Sequence, residues 1–302
     1  MESGPLHVIF GAGQVGAGLA RALSAAGVRV RVVRRSAAPG PDGVDVVAGD
    51  ARDPGFTTHA SAGAAVLYHC MNPSAYSKAA WADEFPAFGD ALIAAATTHD
   101  ARLVCLDNLY GYGEVDGART EATPMGATGP KGRVRAAWDT RLRDAPGLRY
   151  VVGRAGDFFG PGAADQSLFS PKVEADLARG APVWLVGDPD APHAFSYVPA
   201  VVEGLARMGL ADADVERRAY HLPVVTLPPR GLAAAIATAA GGPSPRVRAV
   251  PTWALRGLGV FVPILGELAE TAYQWDRPFL VDDTAYRTRF GTPVGPAWLG
   301  GR

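Results

Sequence analysis

Five apolar residues followed at once by three spaced glycines constrain this chain more than any other feature. Leu6-His7-Val8-Ile9-Phe10 is a short β-favouring run of the kind buried in a parallel sheet. Gly11-Ala12-Gly13-Gln14-Val15-Gly16 follows without a spacer. From Gln14 to Ala26 apolar and small residues then recur at helical spacing. The order strand, tight turn, helix commits the first segment to a β-α unit of an α/β fold.

The glycines have separable jobs. Gly11 permits the turn, Gly13 lets the backbone approach a pyrophosphate, and Gly16 lets the helix lie close on the strand. The N–H groups around Gln14, Val15 and Gly16 face outward at the positive end of the helix, where phosphates bind. The same spacing can arise by chance in a chain with 37 glycines. The flanking strand and helix favour a dinucleotide turn instead. The second predicted strand, Val28 to Val33, ends in Arg34-Arg35-Ser36. An NAD site usually has Asp or Glu about twenty residues past the turn, on the ribose hydroxyl. Two guanidinium groups suit a 2′-phosphate instead, so the expected cofactor is NADPH/NADP+.

Composition sets outer bounds. At 302 residues, 48% hydrophobic and 20% charged, the chain is expected to be globular. A formal net charge of −1 gives no electrostatic case for a nucleic acid or an anionic membrane. No basic segment followed by an apolar core opens the sequence, and the longest apolar stretch, Leu258 to Leu265, is too short to span a bilayer. Cys70 and Cys105 read as buried free thiols, and a cytoplasmic protein is expected. Six scattered histidines give no metal site.

Along the first half, β-type runs alternate with helical stretches. Strands are expected at Val44 to Ala48, Ala65 to Cys70, Arg102 to Leu106 and Leu148 to Arg154. Helices are expected to His59, over Lys78 to His99 and over Lys131 to Asp144. The predicted fold class is α/β, a Rossmann-type doubly wound parallel sheet with a smaller C-terminal substrate-binding region. The expected division is 1–154 for the NADP(H)-binding domain and 155–302 for a mainly substrate-binding region whose late strands complete the sheet. The connection from Asp107 to Pro130 is long and rich in Gly, Thr and Pro, as functional loops often are.

Several short motifs in order resemble the extended and atypical branch of the short-chain dehydrogenase/reductase superfamily, related to nucleotide-sugar epimerases. They are the glycine turn, Gly49-Asp50-Ala51, Cys70-Met71-Asn72 at the end of strand four, Arg154-Ala155-Gly156-Asp157-Phe158-Phe159-Gly160-Pro161-Gly162, and His193-Ala194-Phe195-Ser196-Tyr197-Val198. The resemblance implies that Asp50 and Ala51 contact adenine and that Cys70, Met71 and Asn72 flank the cofactor. It also implies that Ala155, Gly156 and Phe158 pass the nicotinamide.

The catalytic positions depart from that family. Its members carry Ser or Thr after strand five and then Tyr-x-x-x-Lys at a helix start, the tyrosine moving the proton. Here Asp107-Asn108 stands at the serine positions, and Lys131-Gly132-Arg133-Val134-Arg135 aligns with the tyrosine-lysine run. Lys131 and Arg135 are therefore expected to hold cofactor ribose or phosphate. Asn108 and Lys131 are the remaining catalytic candidates, Lys131 as a general acid if its environment depressed its pKa. Asn108, Tyr110, Phe158, Phe169, Phe195 and Tyr197 are the expected substrate contacts.

Among members without the tyrosine, the chain is similar to angucyclinone ketoreductases. That resemblance implies NADPH-dependent reduction of an aromatic ketone on a polycyclic polyketide in antibiotic biosynthesis, with the proton from a substrate phenol or water. The alternatives are a non-catalytic NADP(H)-binding sensor and a nucleotide-sugar epimerase or dehydratase. A monomer or homodimer is expected.

Overall fold

A computed structural model describes residues 4–41, 43–258 and 262–299. In chain order its first elements are β1 (Leu6–Phe10), α1 (Gly16–Ala25), β2 (Arg29–Arg34), β3 (Asp45–Ala48), α2 (Pro54–Ala60), β4 (Ala64–His69), α3 (Lys78–Thr98), β5 (Arg102–Asp107), β6 (Ala118–Arg119), α4 (Pro130–Asp144) and β7 (Tyr150–Arg154). There follow β8 (Asp157–Phe159), α5 (Pro171–Ala178), β9 (Val183–Val186), β10 (His193–Tyr197), α6 (Val198–Leu210), β11 (Arg218–His221), β12 (Val225–Leu227), α7 (Pro229–Ala239), β13 (Val247–Val250), α8 (Thr252–Leu258), α9 (Pro263–Ala269), β14 (Leu280–Val281) and α10 (Thr284–Phe290). The chain forms two compact units, one of residues 1–108, 133–154 and 201–220, the other of 109–132, 155–200 and 221–302.

The first unit is built on a seven-stranded sheet in the order β11-β7-β5-β4-β1-β2-β3. β1 pairs in parallel with both β2 and β4, and the parallel register continues outward through β3, β5 and β7. This is the Rossmann-type α/β fold, with the strand order reversing at β1 and β4, where such sheets open a crevice at the carboxyl ends of the strands. The central strands carry near-continuous apolar runs because both faces are covered: all five residues of β1 are buried. One face packs Phe85, Phe88, Leu92 and Trp138 against Val8, Phe10, Leu67 and Cys105.

Two histidines lie inside this sheet. His7 Nδ1 meets the Tyr68 hydroxyl at 3.0 Å. Burial, helped by the charge of Arg102, lowers its pKa to about 4. His69 accepts the Met71 N–H at 3.3 Å, and burial together with Arg135 lowers its pKa to about 3. Both stay neutral in the fold while the unfolded chain takes up protons below the ordinary histidine value of 6.5. Their contribution is therefore complete above pH 6.5 and is lost as pH falls toward the folded values. We expect stability to fall by about 1.4 kcal/mol per pH unit per histidine across that window. Urea unfolding at pH 7 and pH 5 measures it, and equal midpoints would contradict it.

The second unit has no large sheet among its described residues. β8 runs parallel to β10, which pairs antiparallel with β12. β13 pairs with β9, and β14 with β6, both in parallel. Phe159, Phe169, Phe195, Leu177, Leu232 and Ile236 form its core. No helix among the described residues is long and apolar enough to cross a membrane.

Candidate functional site

The glycine turn in the first unit shows three different environments. Gly11 adopts φ +103° and donates its N–H to Val33 O at 3.0 Å. A Cβ there would lie 2.7 Å from Cys70 O, so β1 and β4 close on the turn from behind. A Cβ at Gly16 would lie 1.9 Å from Gly11 O, which fixes α1 against its strand. Gly13 has nothing within 4 Å of its Cβ position and is exposed. Gln14 beside it is half-buried, whereas Val15, at the N-cap of α1, is buried and supplies no side-chain cap. The first turn of α1 holds no acidic residue. Open space above uncapped N–H groups is what a phosphate needs.

At the edge of this turn, Arg34 ends β2 half-buried and Arg35 is exposed beyond it. Neither pairs with a carboxylate among the described residues, although Arg35 adds to the field on Asp50. Asp50 is exposed and takes Arg52 through both oxygens, which holds its carboxyl below the usual range; Ala51 next to it is buried. Cys70 follows β4, with burial pushing its thiol up to about 12. Met71 packs half-buried against the sheet core, and Asn72 is exposed.

Arg135 is 3% exposed and lies over the rings of Phe85 and Trp81, at 4.0 and 4.8 Å. Its Nη1 pairs with Asp107 Oδ1 at 3.0 Å, and its Nη2 donates to Asn72 Oδ1 at 2.8 Å. Asp107 also accepts the Asn108 N–H at 2.8 Å and faces Arg154 Nε at 3.9 Å, while Arg154 pairs with Asp139. Asn108 itself is half-buried. In this arrangement Arg135 ties the ends of β4 and β5 to α4 as a structural cation.

In the second unit Lys131 is fully buried, its Nζ held by the carboxylates of Glu267 and Glu270 and by the Glu267 carbonyl at 3.1 Å. Its backbone N–H donates to Glu270 Oε1 at 2.6 Å. Two carboxylates and a carbonyl thus surround the ammonium inside the second unit.

Of the two phenols after β5, Tyr112 is buried with its hydroxyl 2.7 Å from His221 Nε2, whereas Tyr110 is half-buried. Gly156 sits so close to β10 that a Cβ would lie 2.5 Å from Ala194 O, and it follows the buried Ala155. Phe158 and Tyr197 are half-buried on neighbouring strands. Phe169 and Phe195 are fully buried and meet edge to face at 5.5 Å in the core.

Sequence reasoning missed the carboxylates. Asp107 pairs with a residue 28 positions on, and Glu267 with one 136 positions back. The one local signal was that Glu267 and Glu270 share a face at i, i+3 spacing. His193 was also missed: its Nε2 meets Asp157 Oδ2 at 2.7 Å and its ring stacks on Trp275 at 4.0 Å.

The model of the NAD dependent epimerase/dehydratase family matches residues 8–222. No curated protein sequence matches the chain significantly. Among solved structures, a double mutant of DesIV, the dTDP-glucose 4,6-dehydratase of Streptomyces venezuelae with NAD bound, is 20% identical at TM-score 0.76, covering 98% of this chain and 94% of that one. The UDP-glucose 4-epimerase of Thermotoga maritima with UDP-glucose is 15% identical at TM-score 0.72, covering 94% and 91%. The UDP-glucuronic acid 4-epimerase of Bacillus cereus in complex with NAD is 13% identical at TM-score 0.75, covering 97% and 95%.

These findings correct the expectation of an angucyclinone-type polyketide ketoreductase. The matching family is one of epimerases and dehydratases, and the three solved structures named above are nucleotide-sugar dehydratases or epimerases. The error was to read a substrate from a missing tyrosine. A lost proton donor restricts the mechanism but does not specify the ligand.

Proposed function

The chain belongs to the NAD dependent epimerase/dehydratase family, and from that premise we propose that it binds a nicotinamide dinucleotide and transforms a nucleotide-linked sugar by epimerisation or dehydration. The observation that carries this reading is the open space at Gly13 between the tightly fixed Gly11 and Gly16, above the uncapped start of α1. It fits a pyrophosphate.

Arg34 and Arg35 favour the 2′-phosphorylated cofactor, because a guanidinium matches a phosphate better than a ribose hydroxyl. A charge-assisted hydrogen bond contributes about 1.5–3 kcal/mol. Arg34→Ala is therefore expected to weaken NADP+ at least about tenfold while changing NAD+ little. Calorimetric titration measures both, and equal losses would contradict the assignment.

The bound dinucleotide supplies reversible hydride exchange with a sugar carbinol. The chain must orient the sugar and move the hydroxyl proton. Residues 131 and 135, held by carboxylates, do not serve that step. Two phenols follow β5, Tyr112 with its hydroxyl on His221 and the half-buried Tyr110, and we assign the proton transfer to Tyr110; the Asn108 amide can hydrogen-bond a substrate oxygen without giving a proton.

The locked cations at 131 and 135 also favour a second reading, a protein that binds the dinucleotide without turnover. Incubation with NADP+ or NAD+ and a panel of UDP- and dTDP-hexoses, followed by NMR, separates the two. A 4-keto or epimerised product supports catalysis. Dinucleotide binding without product supports the second reading, and absence of both overturns each.

A further inference from the structure

The deeply buried cations of this chain have carboxylate partners, with one exception among the described residues. Arg102 pairs with Glu216, Lys131 with Glu267 and Glu270, Arg135 with Asp107, and Arg154 with Asp139. Arg119, on β6 in the second unit, is 2% exposed and pairs with none. Its Nη2 donates to Gly113 O at 3.1 Å and its guanidinium carbon lies 4.0 Å over the Phe279 ring. Nε and Nη1 have no hydrogen-bond partner. The groups acting on its charge are the phenols of Tyr273 and Tyr112.

A guanidinium cannot shed its proton to relieve burial. One carbonyl and one aromatic face offset only part of the lost hydration. The unused donors sit in buried, aromatic surroundings, where an ionic hydrogen bond is stronger than in water. We propose that Arg119 is an anion-binding residue, and that Arg119, Tyr112, Tyr273 and Phe279 form a site for a single oxyanion group, a carboxylate or a phosphate ester, of a small-molecule ligand. The surrounding Val115, Met125 and Tyr273 are only partly buried, and Gly113 and Gly117 before β6 stand at φ +70° and +86°. The site shares no residue with the glycine turn, so the proposal does not rest on the dinucleotide reading.

The test is a thermal unfolding series of the wild type, Arg119→Gln and Arg119→Met with acetate, methyl phosphate and chloride at matched ionic strength. Neither probe contains a nucleotide, so the result is independent of sugar turnover. The wild-type midpoint is expected to rise saturably with acetate if the ligand group is a carboxylate, or with methyl phosphate if it is a phosphate ester. Both variants should stay flat, with unliganded midpoints no lower than wild type, because each removes an uncompensated charge. A wild type indifferent to both anions overturns the proposal, as does an equal response in wild type and variants. If the variants fail to fold, the wild-type Arg119 Nε–H resonance is followed through the same titrations. A saturable shift upholds the site, and an unmoved resonance overturns it.

Discussion

Replacing Arg135 with methionine is expected to destabilise the protein by about 3 kcal/mol, because truncating one partner of a buried ion pair leaves the other charge without compensation. The stranded group is Asp107, which is 4% exposed. The estimate sits at the low end of the usual range because the Asn108 N–H and Arg154 Nε still face that carboxylate. Methionine keeps most of the packing on Phe85 and Trp81, so the loss reports the charge rather than a cavity. For a chain of this size the unfolding midpoint should fall by roughly 5 °C. The double variant with Asp107→Asn should recover much of the loss, since the two changes act on one pair. A single variant as stable as wild type would show that Arg135 is not the structural cation described above.

The second large effect separates two glycines of one turn. Gly16→Val is expected to disrupt the fold without any ligand, since even a Cβ would lie 1.9 Å from the Gly11 carbonyl oxygen. Relief requires α1 to lift from β1, with a loss of roughly 3 kcal/mol or more by overpacking. Gly13→Val should fold normally, because its Cβ position meets nothing within 4 Å. Circular dichroism melts compare the two. Equal midpoints would mean that the turn is not packed as described.

The contrast explains what could be read from the sequence. Strand β1, the turn and α1 were legible because their signals are local: an apolar run, three glycines and helical spacing within about twenty residues. The parallel sheet was legible for the same reason, and the expected strands lie within one or two residues of β2 to β5 and β7. The chemistry around residues 131 and 135 was not. Aligning Lys131 and Arg135 with a tyrosine and lysine identified the departure, but their state depends on Glu267, Glu270 and Asp107, which no local pattern connects to them. Lys131 therefore looked like a cofactor contact or acid, while the fold holds it inside two carboxylates. Arg119 gave no signal, because a buried charge without a carboxylate partner is defined by what surrounds it in space.

Calorimetric titration of NADP+ and NAD+ into the wild type and Gly13→Val decides whether the turn after β1 holds a dinucleotide. Saturable single-site binding to the wild type, tighter for NADP+, is expected, with its loss in a Gly13→Val protein that melts like the wild type. Absence of binding by the wild type, or unchanged affinity in Gly13→Val, would contradict it.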